Sequence, residues 1–312
     1  MPAPLPVTPD LIREAAARIR GFVRETPVLR PGLGCFGLDL ELTLKLEHLQ
    51  HGGSFKARGA FNTLLSQPVP AVGVIAASGG NHGIAVALAA QRLGAQAEIF
   101  VPAAAPAAKV ERLRGLGATV HLHGANYAEA LAASQQRAAE TGALTVHAYD
   151  QESVLAGQGT LAQEWEQQSQ LDTVLVAVGG GGLIGGMAAW YAGRVKVVAV
   201  EPFTAPTLFA ARQAGQPVDV AVGGVAADSL GSRRIGELAF PVTQQHVATV
   251  VQVDDEAILS ARRALWQQCR LLVETGGATA LAALLSGQYQ PQPGERVGVL
   301  LCGANTDPAT LM

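Results

Sequence analysis

The chain has 312 residues, enough for one large domain or two moderate ones around a sizeable core. Its 22 basic and 25 acidic residues give a net charge of -3, so neither a basic excess suited to nucleic acid nor an acidic tail is present. Apolar residues make up 49% and glycines number 36, which suits an α/β protein with buried parallel strands and many tight turns.

In chain order, Thr8-Pro9-Asp10 opens a helix that runs through Ile19, with a capping residue and proline in the first turn. A strand is expected over Leu42–Leu46. Strands and helices then alternate. The strands are Val72–Ala77, Ala97–Val101, Thr119–Leu122 and Leu144–Ala148, and the helices are Ile84–Leu93, Ala108–Leu116 and Tyr127–Glu140. A helix over Leu155–Gln168 leads to strand Thr173–Val178, a helix from Leu183, and strand Lys196–Val200. A helix over Ala278–Leu285 precedes a last strand, Val297–Cys302. Such alternation implies crossover units and parallel sheets. The expectation is two sheets, a small one within residues 71–148 and a larger one built from 1–70 and 149–312. The uncharged run from Thr173 to Gly193 reads as strand, loop and helix, because four glycines interrupt it. Cys35, Cys269 and Cys302 lack disulfide or zinc-ligand spacing, which suits a reducing compartment. The opening Met1-Pro2-Ala3-Pro4 has no signal-peptide pattern.

Ligands in open α/β sheets bind beyond the carboxyl ends of the strands, and four loops there carry chemistry. Gly52-Gly53-Ser54-Phe55-Lys56-Ala57-Arg58-Gly59 holds one of only four lysines. Lys45, Lys109 and Lys196 read as solvated charges. Lys56 instead begins a helix, where the dipole disfavours a cation and favours the neutral amine that Schiff-base chemistry requires. In Ser78-Gly79-Gly80-Asn81-His82-Gly83, free N–H groups and polar side chains suit a carboxylate, although a capped glycine turn is the plain alternative. Gly179-Gly180-Gly181-Gly182 lets backbone amides close on a phosphate, but it fits neither the Walker nor the dinucleotide pattern. Cys302, in Leu301-Cys302-Gly303-Ala304-Asn305, is either a small buried hydrophobe or a weak hydrogen-bond partner for a cofactor.

Together these loops resemble the fold-type II family of pyridoxal-phosphate enzymes, with two open, mostly parallel sheets flanked by helices as in tryptophan synthase β. Within it the chain is similar to the threonine and serine dehydratases and the serine racemases. The residues carrying the resemblance are Lys45–Gln50 leading into Gly53–Ala60, then Ser78–Gly83, Ala156–Thr160, Gly179–Gly182, Glu274, and Cys302–Asn305. The resemblance implies that Lys56 bonds pyridoxal phosphate covalently and serves as the proton-transfer base. Phe55 is then expected to pack on the pyridine ring and Asn81 to bond its hydroxyl. Gly179, Gly180, Gly181, Gly182 and Leu183 hold the phosphate, Cys302 lies beside the ring nitrogen, and Glu274 belongs to the cofactor site. The substrate carboxylate is expected among Ser78, Gly79, Gly80, Asn81 and His82, with Tyr127 nearby. The implied activity is elimination of water from L-threonine, giving 2-oxobutanoate and ammonia, and from L-serine, giving pyruvate. The implied protein is a cytoplasmic homodimer acting on a small amino acid, with no nucleic-acid or membrane partner.

Departures from the family pattern refine this expectation. Racemases carry a hydroxyl where this chain has Gly79, which favours dehydration over racemisation. Tyr127 stands where racemases and hydroxyaspartate dehydratases tend to have arginine, which favours threonine or serine over hydroxyaspartate. In Glu201-Pro202-Phe203-Thr204-Ala205-Pro206-Thr207, Thr207 replaces an acidic ligand of the relatives' cation site, so no divalent metal is expected, and a monovalent ion stays open. A regulatory domain like that of the long threonine deaminases is not expected after Met312. A racemase, a hydroxyaspartate dehydratase, a β-replacement enzyme such as a cysteine synthase, and a non-catalytic binding protein remain the alternatives.

Overall fold

A computed structural model describes residues 5–311. Met1–Pro4, on which the leader reading rests, lie outside the described residues. Helix α1 (Pro9–Ile19) is capped by Thr8, whose hydroxyl accepts from the Leu11 N–H. Then come strand β1 (Val28–Leu29), strand β2 (Leu42–Lys45), helix α2 (Lys56–Leu65), β3 (Val74–Ala77), α3 (Asn81–Leu93), β4 (Ala97–Val101), α4 (Ala107–Gly115), β5 (Thr119–Leu122), α5 (Tyr127–Thr141) and β6 (Leu144–Thr145). The second half holds α6 (Glu152–Gln168), β7 (Thr173–Ala177), α7 (Gly182–Tyr191), β8 (Lys196–Pro202), α8 (Thr207–Ala214), α9 (Ala227–Leu230), α10 (Ala239–His246), β9 (Val247–Val253), α11 (Asp255–Cys269), α12 (Thr275–Leu285) and β10 (Val297–Leu300).

The strands form two sheets, in the orders β1-β2-β10-β7-β8-β9 and β5-β4-β3-β6. All pairs are parallel except β1 with β2. Strands β7 and β10 are buried along their whole length, the signature of a parallel sheet covered on both faces. One apolar core surrounds the six-stranded sheet. A second joins the small sheet to Ile19 of α1 and to Ala57, Phe61 and Leu64 of α2. Helix α2 is therefore anchored in the small-sheet core, while its first residue faces the strand-end loops. Helices α2, α6 and α7 approach closely through glycines. A Cβ on Gly157 would lie 2.7 Å from the Arg58 carbonyl, and one on Gly186 2.2 Å from the Leu155 carbonyl.

The run from Thr173 is β7, the glycine loop and α7, and no helix among the described residues is long and apolar enough to cross a membrane. Two sequence expectations need correction. The strand expected over Leu144–Ala148 leaves its sheet after Thr145, because the chain turns toward the site. Elements α8 to α11 and β9 lie in a stretch for which the sequence reading offered none. Strand β9 is half exposed at the sheet edge, so its apolar pattern is diluted. Helix α11 did carry a usable signal, since Asp254 caps it at 2.7 Å to the Ala257 N–H.

Candidate active site

The segment carrying Lys56 is stitched to the end of β10. Phe55 N–H donates to the Cys302 carbonyl (3.1 Å), Ala304 N–H to the Gly53 carbonyl (2.9 Å), and Ser54 pairs with Gly303. Gly53 takes φ +80, and a Cβ there would lie 2.5 Å from Asn305 Oδ1. This stitching sets Lys56 at the first residue of α2, close to Cys302. The Lys56 amine donates to the Ala148 carbonyl at 2.6 Å and lies 5.1 Å from the centre of the Phe55 ring. Burial lowers its pKa to about 8, against the opposing pull of Cys302 and Glu274.

Ala148 belongs to the segment that leaves β6 early. Its neighbour Tyr149 covers the glycine loop so tightly that a Cβ on Gly180 would lie 2.3 Å from the Tyr149 ring. Behind the loop, a Cβ on Gly181 would lie 2.5 Å from Ile235. Gly181 also takes φ +88 as the N-cap of α7. Among the described residues no carbonyl or side chain accepts from the N–H groups of Gly179, Gly180, Gly181, Gly182 or Leu183. The last three of these residues are buried. Buried N–H groups without partners are costly, and a row of them at a helix start is a seat for an anion.

The loop after β3 repeats the pattern. Gly80 N–H donates to Ser78 Oγ (3.2 Å), while the N–H groups of Gly79, Asn81, His82 and Gly83 have no acceptor among the described residues. Asn81 Nδ2 donates to Glu274 Oε1 (2.6 Å), and Asn81 Oδ1 accepts from Asn305 Nδ2 (2.5 Å). One Nδ2 hydrogen is left for a ligand. Burial lifts the Glu274 carboxyl to about 7, partly offset by the Asn81 amide. Burial also pushes the Cys302 thiol well above its ordinary range, so it stays neutral.

The comparisons with known proteins agree with this arrangement. The family described as "Pyridoxal-phosphate dependent enzyme" matches residues 19–303. The chain belongs to the pyridoxal-phosphate dependent enzyme family. It is 40% identical to an L-threonine ammonia-lyase of Geobacter sulfurreducens, over 98% of this chain and 77% of that protein. It is 39% identical to the biosynthetic L-threonine dehydratase of Salmonella typhimurium, over 97% of this chain but only 61% of that longer protein. Among solved structures, maize serine racemase superposes with a TM-score of 0.92 at 33% identity, covering 98% of this chain and 95% of that one.

The residues present fit pyridoxal phosphate, a dianionic phosphate on an aromatic aldehyde. The unpartnered N–H row of Gly179–Leu183 suits the phosphate, the half-buried Lys56 amine suits the aldehyde, and the neutral Cys302 thiol offers a weak partner to a ring nitrogen. Of the residues singled out from sequence, Phe55, Lys56, Asn81, Glu274 and Cys302 come together here. Tyr127 is 44% exposed, and desolvation and then the nearby Tyr149 push its hydroxyl up to about 12.

His82 is placed differently from its expected role. Its Nε2 meets the Val146 carbonyl at 2.9 Å. A carbonyl only accepts, so Nε2 carries the proton and Nδ1 of the neutral ring is bare. Burial and then the Lys56 charge hold its pKa down to about 3. His82 therefore offers a backbone N–H to an anion but no side-chain donor. Lys45 is not a solvated charge either. It is 0% exposed and donates to Glu164 (2.5 Å), Gln168 (2.7 Å) and the Thr26 carbonyl (2.7 Å). Lys109 reaches across to Asp228, and Lys196 to the Tyr289 hydroxyl. Glu201 accepts from the Thr207 hydroxyl (2.9 Å) and from the N–H groups of Leu208 (2.7 Å) and Phe209 (2.9 Å), so it serves the start of α8. Sequence reasoning missed His147–Tyr149, because an apolar run ending a sheet gave no sign that it would turn into the site.

Proposed function

We infer that the chain is a pyridoxal-phosphate dependent ammonia-lyase that converts L-threonine to 2-oxobutanoate and ammonia, and L-serine to pyruvate. The observation that carries this reading is a half-buried amine of lowered pKa, that of Lys56, set between two strand-end loops of unpartnered N–H groups. The relatives named for threonine, at about two-fifths identity over nearly all of this chain, support the substrate.

The bound cofactor supplies an electron sink that acidifies the substrate Cα–H. The N–H groups of Gly79 and Asn81–Gly83 hold the substrate carboxylate. Neutral Lys56 takes the Cα proton, and the β-hydroxyl leaves as water once protonated, by the resulting Lys56 ammonium or by the cofactor phosphate. Hydrolysis of the released enamine gives the 2-oxo acid and ammonia. The neutral Cys302 thiol, unlike a carboxylate, would be only a weak partner for the ring nitrogen of a bound cofactor and would not favour its protonation. That moderates the electron sink and suits elimination over a long-lived carbanion. The test is release of 2-oxobutanoate and pyruvate from both enantiomers of threonine and serine. Release from the L-enantiomers is expected; no release from either L-substrate would sink the reading.

Racemisation needs a proton donor on both faces of Cα, and Gly79 has no side chain to supply the second. A serine fits there, because a Cβ would lie 3.4 Å from Val101 Cγ1, its nearest neighbour. Gly79→Ser is expected to add measurable conversion of L-serine to D-serine while the protein stays folded. An unchanged racemisation rate on chiral chromatography would count against this reading of the loop.

We also place the protein in the cytoplasm as a homodimer. Its three free thiols support a reducing compartment, and the dimer follows from the family resemblance. The division into a small domain, 71–148, and a large one, 1–70 with 149–312, is supported by the separate four-stranded sheet.

A further inference from the structure

Cys35 and Cys269, remote in sequence, meet in the fold. Residues 35–37 form a short helical turn that rests on the end of α11. There Gln268 Oε1 accepts from the Phe36 N–H (2.7 Å) and from the Cys35 thiol (3.5 Å). The next residue, Cys269, ends α11 with its thiol against that of Cys35. Each cysteine is followed by a residue in the left-handed region, Phe36 at φ 59 and Arg270 at φ 55. Among the described residues only Ala192 joins them as a non-glycine there. Both cysteines are half-buried, within reach of a small solute, whereas Cys302 is buried in the site.

We propose that Cys35 and Cys269 form an oxidative modification site, which a peroxide converts to a disulfide joining the 32–38 loop to α11. The Cys35 sulfur attacks one peroxide oxygen and the O–O bond breaks. The departing hydroxide takes up the thiol proton and leaves as water, giving a sulfenic acid on Cys35. The Cys269 sulfur then attacks the Cys35 sulfur. An S–S bond forms, the S–O bond breaks, and the hydroxide leaves with the Cys269 proton as a second water. Overall two thiols lose two electrons and two protons, and one peroxide becomes two waters. Burial, and then the neighbouring Cys35 thiol, push Cys269 up to about 11. A thiol held protonated is a poor first nucleophile, so Cys269 takes the resolving role.

The test uses the full-length, cofactor-loaded protein exposed to hydrogen peroxide, alkylated, and mapped by mass spectrometry without reduction. A peptide pair joining Cys35 to Cys269, lost on treatment with dithiothreitol, is expected. The oxidised protein should gain on the order of 5 °C in thermal midpoint, as a long-loop cross-link formed in the folded state would give. Cys269→Ser under the same treatment should show no gain and should leave a sulfenic acid on Cys35 that dimedone traps. Absence of the cross-link in native protein, its formation only after denaturation, or pairing of either cysteine with Cys302 would overturn the proposal.

Discussion

Lys56→Ala is expected to lower 2-oxobutanoate release from L-threonine by at least about 10⁴-fold, because one side chain both bonds the cofactor and moves the Cα proton. Its environment explains why no other lysine replaces it. Lys45 is held by Glu164, Gln168 and Thr26, Lys109 by Asp228, and Lys196 by Tyr289. The Lys56 pKa of about 8 leaves a useful fraction of neutral amine near neutral pH. Its folded-state value lies below the ordinary lysine value, so the charged form is the one disfavoured by folding. The amine gains a proton as pH falls through about 8, and turnover limited by the free base should fall with it. Lys56→Arg should be as inactive as the alanine variant, since a guanidinium stays protonated and forms no comparable bond. Substantial turnover in either variant would remove Lys56 from both roles.

The second large effect is expected at Glu47, in the buried ion network that fixes the frame of the Lys56 helix. Arg58, two residues after Lys56, is 1% exposed, and Glu47 is 0% exposed. Arg58 Nε and Nη2 donate to the two Glu47 oxygens at 2.7 and 3.0 Å, and Nη2 also reaches Glu164 at 2.9 Å. Lys45 bonds the other Glu164 oxygen, and the Thr26 hydroxyl donates to Glu47 at 2.7 Å. Two cations and two anions therefore balance. Glu47→Ala removes the paired acceptor and leaves a buried guanidinium half satisfied. A loss of about 3–5 kcal/mol is expected, read as a lower denaturation midpoint at an unchanged slope. Glu47→Gln keeps an acceptor oxygen and should lose less. A matched truncation of the solvent-exposed Asp219, which meets Arg234 at the surface through a single 3.4 Å contact, should leave the midpoint nearly unchanged. If Glu47→Ala proved equally harmless, the network would not be what holds α2 in place.

The parts of the site built from backbone were the most legible in sequence. Glycine runs directly after apolar strands announce free N–H groups, and Gly79–Gly83 and Gly179–Gly182 are such runs. Lys56 was legible because it follows two glycines and opens a helix. What was hidden depended on distant partners. Lys45 looked solvated because β2 was read by itself, while its counter-charge Glu164 sits on α6. His82 looked like a ligand donor because the carbonyl that accepts from its Nε2–H, that of Val146, lies far along the chain. Tyr149 was passed over because a strand pattern does not announce where it stops pairing. Cys35 and Cys269 looked unrelated because contact between a loop and the end of a helix leaves no periodic trace.

The most direct measurement is borohydride reduction of the cofactor-loaded protein followed by peptide mapping. With only four lysines in the chain the outcome is unambiguous. The reduced cofactor is expected on the peptide containing Lys56 and nowhere else. A label on Lys45, Lys109 or Lys196, or no label on any peptide, would contradict the account.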